Sequence, residues 1–85
     1  MAVTAKHEKT ITIEVNSKPV ALHAEEVTGL EIKEAAIAQG VEIQLDFQLW
    51  EETHGGHEMR SIGDDELVKI HNKMEFTCNT GDHDS

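Results

Sequence analysis

Val27-Thr28-Gly29-Leu30-Glu31-Ile32-Lys33-Glu34-Ala35-Ala36-Ile37-Ala38-Gln39-Gly40-Val41 carries a start, a body and a stop for one helix. Thr28 followed three residues later by Glu31 is the reciprocal capping box, in which a hydroxyl and a carboxylate take up amide groups that the first turn leaves without partners. Ile32, Ala35 and Ala36, flanked by Leu30 and Ile37, form a broad apolar face over about three turns. Gly40 then Val41 suits a left-handed stop backed by a hydrophobic contact. The small alanines allow the helix axis to lie close to a sheet.

Strand patterns stand on both sides of this helix. Upstream, Ile11, Ile13 and Val15 alternate with Thr12 and Glu14, the period of a strand with one buried face. Asn16-Ser17-Lys18 is turn chemistry, and Val20 and Leu22 then alternate with Ala21 and His23, which completes a hairpin. Downstream, Ile43, Leu45, Phe47 and Leu49 alternate with Gln44, Asp46 and Gln48, predicting a third strand over that stretch. Trp50 breaks the alternation and belongs either to a bulge or to the outer face. His54-Gly55-Gly56-His57 is a flexible connection to a short strand, Glu58 to Ile62, and Gly63-Asp64-Asp65 turns the chain again. Leu67, Val68 and Ile70 are expected to plug one end of the core. The last strand points Met74, Phe76 and Cys78 inward, with Glu75 and Thr77 outward. Residues 1–9 are expected to form a flexible leader, 10–78 the domain, and 79–85 a flexible tail without apolar side chains. Hairpin, helix and three further strands make an α+β plan, a mixed sheet of four to five strands covered by one helix.

Composition bounds the partners. With 85 residues there is room for one thin-cored domain. Seven Lys+Arg against 17 Asp+Glu leave a formal charge of −10, which opposes nucleic acid and anionic membranes and favours basic protein surfaces. The single cysteine, Cys78, excludes an intrachain disulfide and suits a reducing cytosol. Neither an apolar leader nor a run of about 18 apolar residues is present, so a soluble, cytoplasmic protein is expected; a monomer is expected as well.

Chemistry-bearing patterns are weak. His54 and His57 have a His-x-x-His spacing that His71 or Asp64 could extend towards zinc, but the glycines between them do not preorganise a site. Asp64-Asp65-Glu66 lacks calcium-loop spacing and reads as a solvated turn. Cys78 shares the parity of Met74 and Phe76, which makes it a buried inert thiol. His83-Asp84-Ser85 has the residue types of a serine triad without a frame to hold them. No nucleophile, base or cofactor motif converges, so neither an enzyme nor a bound cofactor is expected. Trp50, with Leu49 and Ile62 nearby, is the candidate recognition surface, as either a packed aromatic or an exposed anchor.

The element order is that of the β-grasp. Ile11 to Leu22 with Asn16 at the hairpin, Val27-Thr28-Gly29 opening the helix with Ile32 after it, Phe47-Gln48-Leu49-Trp50, Ile62-Gly63-Asp64-Asp65 and Phe76 together resemble the prokaryotic multiubiquitin family, ubiquitin-like domains of bacteria. The resemblance spans about Ile11 to Cys78. It implies a modifier whose tail is trimmed by a processing peptidase, adenylated by an activating enzyme with ATP, and passed to a conjugating enzyme and a target. Asn79 and Gly81 are then the candidate processing positions. The chain does not end in Gly-Gly, and its only diglycine, Gly55-Gly56, is internal, which disfavours a sulfur carrier. The alternative is a non-conjugated binding module on the same fold. Lys6, Lys9, Lys18, Lys33, Lys69 and Lys73 would be the acceptors if chains form, and are otherwise solubilising.

Overall fold

Asn16 and Ser17 both adopt positive φ, 55° and 70°, the geometry of a type I′ turn whose twist matches that of the strands it joins. It closes the hairpin of β1 (Ile11–Val15) and β2 (Lys18–Leu22), paired from Val15↔Lys18 to Ile11↔Leu22. A computed structural model describes residues 10–53 and 58–80. The chain continues through β3 (Glu26–Thr28), helix α1 (Gly29–Ala38), β4 (Gln48–Thr53), β5 (Glu58–Ile62), β6 (Leu67–Lys69) and β7 (Glu75–Asn79).

The main sheet runs β2-β1-β7-β4-β5, and β3 pairs with β6 in a separate two-stranded sheet. β1 and β7 are parallel neighbours; the other pairs are antiparallel. One helix against a mixed five-stranded sheet is the α+β, β-grasp-like arrangement expected. Asn16 strengthens its centre: the side-chain amide donates to the Cys78 carbonyl at 2.9 Å and accepts from the Cys78 amide at 2.8 Å, acting as one more rung between the hairpin and β7.

The helix boundaries are as anticipated. Thr28 accepts from the Glu31 amide at 3.1 Å while the Glu31 carboxylate accepts from the Thr28 amide at 2.8 Å. At the other end Val41 N–H bonds the Ala36 carbonyl at 2.9 Å, Gly40 N–H bonds that of Ile37 at 3.1 Å, and Gly40 has φ 102°, a complete Schellman stop. Ile32 and Ala36 are fully buried and join Ile13, Val15, Val20, Leu49, Ile62 and Phe76 in the core. Ile37 is 39% exposed, contrary to the expected face.

The predicted strand over Ile43–Leu49 is corrected. Residues 41–47 are irregular, with a turn in which Phe47 N–H bonds the Gln44 carbonyl at 3.0 Å. Val41 and Ile43 are buried while Leu45 is exposed. The apolar alternation arises because this connection drops side chains into the end of the core as it crosses from helix to sheet. β4 starts only at Gln48, so Leu49 inward and Trp50 outward follow regular parity without a bulge. Val68 and Ile70 plug the core as expected, but Leu67 is exposed, at the end of β6. Asn79 is still strand, paired with Gln48, so the body extends one residue past the expected boundary. The leader 1–9 and the tail 81–85 lie outside the described residues.

Candidate recognition surface

Across the face of the sheet turned away from α1, the register puts Ser61, Trp50 and Thr77 in one row, and Met59, Glu52, Glu75 and Glu14 in the next. Trp50 sits in the middle, half-buried. Three carboxylates abreast on adjacent strands repel one another and cost stability. Glu52 has a neutral donor beside it, the Thr77 hydroxyl. An aromatic platform bordered by acids suits a partner that brings an apolar side chain and a positive charge.

Leu49 and Ile62, expected beside Trp50 on this surface, are 0% and 1% exposed. They pair with each other on the opposite face and belong to the core, holding the platform from beneath. The reason is parity: neighbours along a strand point to opposite faces. Met59, Ser61 and Thr77 are the residues that surround Trp50, and only the register of β5 and β7 could have revealed them.

The largest surprise is Lys33. It is 3% exposed, and its ammonium donates to the Leu45 carbonyl at 2.7 Å and the Phe47 carbonyl at 2.8 Å while pairing with Asp64 Oδ1 at 2.7 Å. All three N–H bonds are used, which is what makes a buried ammonium tolerable. Lys33 therefore cannot accept a conjugate in the folded domain, unlike the exposed Lys18, Lys69 and Lys73. Asp64 ties down this clamp, and Glu66 holds the other side of the same turn: it bonds Arg60 at 2.6 Å and accepts from the Gly63 amide at 3.2 Å. The Arg60 bond, then the Gly63 amide, hold the Glu66 carboxyl below its ordinary value, and the Glu66 bond holds Arg60 above its own. Asp64 and Glu66 thus serve the turn, and Asp65 between them is exposed.

Cys78 is buried, and desolvation pushes its thiol up to about 11. Relative to an ordinary thiol at 9.0, that shift alone leaves about 100-fold less thiolate at pH 8. Iodoacetamide should therefore label native Cys78 at least 100-fold more slowly than the urea-unfolded chain, followed by mass; equal rates would mean the thiol is reachable. His54 and His57 lie outside the described residues. Among the described residues no three His, Cys, Asp or Glu side chains gather as metal ligands, and no helix is long and apolar enough to cross a membrane.

The multiubiquitin family matches residues 11–81, from the first residue of β1 to two positions past the end of β7. The chain belongs to the multiubiquitin family. The match takes in all eight elements, so the β-grasp-like body and the family's ubiquitin-like domain are one unit. No curated protein and no solved structure matches the chain. In this multiubiquitin domain the platform around Trp50 and the segment after Asn79 are what remain to be given a function.

Proposed function

We propose that this ubiquitin-like domain is a protein modifier, or the precursor of one, in a bacterial conjugation-type system of the cytoplasm. It is acted upon and carries out no catalysis itself. A processing peptidase would trim the tail, an activating enzyme would adenylate the new carboxylate with ATP, and a conjugating enzyme would carry it to a target. The observation that carries this reading is the family match from Ile11 to Gly81. It reaches beyond the folded strand into the segment that such enzymes would handle.

Of the two candidate positions, the fold favours Gly81. Asn79 is held in the sheet opposite Gln48, and a peptidase cutting after it would first have to open that pair. Gly81 comes two positions after the end of β7 in sequence and has no side chain to obstruct a narrow channel. The Trp50 platform would be the grip for the enzymes, with its acidic border selecting basic surfaces.

Intact-mass analysis of the protein from its native cells tests this. The expected result is a species ending at Gly81 together with higher-mass adducts of the same chain. A chain ending at Ser85, without adducts while the partner enzymes are active, makes the non-conjugated binding module the correct account.

A further inference from the structure

The two edges of the main sheet are treated differently. On β2, the backbone groups that face outward belong to Pro19 and Ala21, because Lys18, Val20 and Leu22 stand in the hydrogen-bonded pairs of a two-residue hairpin with β1. Proline has no N–H to offer. The Ala21 N–H and carbonyl are both taken by the side-chain amide of Gln39, at 2.8 Å each. This edge is closed to another strand.

β5 is different. The carbonyls of Glu58 and Ile62 both face β4, where they accept from Thr53 Oγ1 at 3.4 Å and Gln48 Nε2 at 3.3 Å. Alternation along the strand then turns the N–H and C=O of Met59 and Ser61 outward. Among the described residues nothing covers them. Both residues are exposed, Met59 at 47%. The strand has no proline, lysine or bulge to discourage pairing.

We propose that β5 is an interface for a second copy of this chain, joined by antiparallel, two-fold pairing centred on Met59. The sequence Glu58-Met59-Arg60 is self-complementary in that register. Met59 exchanges backbone bonds with its own equivalent, and Glu58 of each copy stands opposite Arg60 of the other, twice, adding a third carboxylate to an exposed guanidinium that already bonds Glu66 and Glu51 of its own chain. The neighbouring register, centred on Arg60, would set the two arginines face to face. The pairing fuses two five-stranded sheets into one and brings the two Trp50 platforms onto a common face. The charge of −10 on each copy opposes association and keeps the dimer weak, so it replaces the expected lone monomer only at high local concentration.

Sedimentation of the full chain, from about 10 µM to 1 mM at about 0.15 M salt, tests this. The wild-type weight-average mass should climb from 9.5 kDa towards twice that value. Met59→Pro removes an outward N–H together with the side chain beside Trp50 and should stay at the single-chain mass with an unchanged circular-dichroism spectrum, while Met59→Ala, which loses the side chain but keeps the N–H, should still associate. Glu58→Arg alone sets arginine against arginine, and Arg60→Glu alone sets glutamate against glutamate while also giving up the Arg60 bonds to Glu66 and Glu51; each should be monomeric while keeping the circular-dichroism spectrum of the wild type. An equimolar mixture of these two variants restores both opposite-charge pairs and should dimerise at least as well as wild type. A wild type that remains at single-chain mass throughout overturns the proposal, and leaves the edge to a strand from another protein or to none. So does a Met59→Pro variant that associates like wild type, or a mixture no heavier than its components.

Discussion

Lys33→Ala lowers the unfolding free energy by about 3 kcal/mol, the largest effect expected from a single side chain outside the apolar core. Alanine removes the ammonium that the Leu45 and Phe47 carbonyls and Asp64 share. Asp64 is about half exposed, so water replaces its partner at small cost. The two carbonyls lose a charged donor in a partly buried setting, at about 1 kcal/mol or more each, and the aliphatic stem leaves a void. A domain of this length has a total stability on the order of 4–13 kcal/mol, so the urea midpoint should fall by about 2–3 M at an m-value near 1 kcal/mol/M. Lys33→Met keeps the stem and should recover about half of the loss. A loss below about 1 kcal/mol for alanine would mean that the clamp does not hold the 41–47 connection against the body.

Gly29→Ala is the second large effect, and its sign is set by geometry. In a helix alanine is ordinarily better than glycine by about 1 kcal/mol. Here a methyl group on Gly29 would stand 2.4 Å from the Gly63 carbonyl oxygen and 3.0 Å from Ile62 Cγ2. Backbone cannot swing aside as a long side chain can. The same turn receives the first amides of the helix, from Gly29 to the Glu66 carbonyl at 3.1 Å and from Leu30 to that of Asp64 at 3.2 Å, so a shift there loosens several bonds at once. The variant should lose about 2–3 kcal/mol by thermal or urea unfolding. Gly63→Ala, on the other side of the same contact, meets nothing within 4 Å and should be neutral or slightly stabilising. If the two variants behave alike, the close approach of helix and turn is not what Gly29 provides.

Local chemistry made the helix and the hairpin legible. Thr28, Glu31, Gly40 and Val41 each announce a boundary through bonds made within a few residues, and the alternation around Asn16 needs only its neighbours. The stretch Ile43 to Phe47 misled for an equally physical reason: a connection that buries Ile43 and packs Phe47 against the core while leaving Leu45 exposed has the same apolar pattern as a strand. Lys33 was invisible because a lysine on a helix ordinarily marks the solvent side. Only the arrival of Leu45, Phe47 and Asp64 around it explains its burial. The short pair β3–β6 carries too few residues for a periodicity. At the candidate surface Trp50 was legible as the aromatic off the core parity. Leu49 and Ile62 were expected beside it, but they share the inner parity of their strands, whereas Met59, Ser61 and Thr77 share the outer face with Trp50 only through the register of β5 and β7. Gly81 was singled out because it lacks a side chain to obstruct a protease or channel; the proposal prefers it to Asn79 because Asn79 is paired with Gln48 in the sheet.

The parallel pairing of β1 with β7 has a mechanical side. β1 enters the sheet at one end and β7 leaves at the opposite end, with Glu14 beside Glu75 and Val15 beside Phe76. A pull on the two ends of this domain therefore runs along both strands in opposite directions and loads their hydrogen bonds together, in shear, where a hairpin would unzip one rung at a time. The Asn16 amide bonded to Cys78 lies in that seam and shares the load. Drawn through a narrow machine by its C-terminal end while the other end is anchored, the domain would resist as a latch, and a strand pulled from the sheet's margin would offer no such resistance.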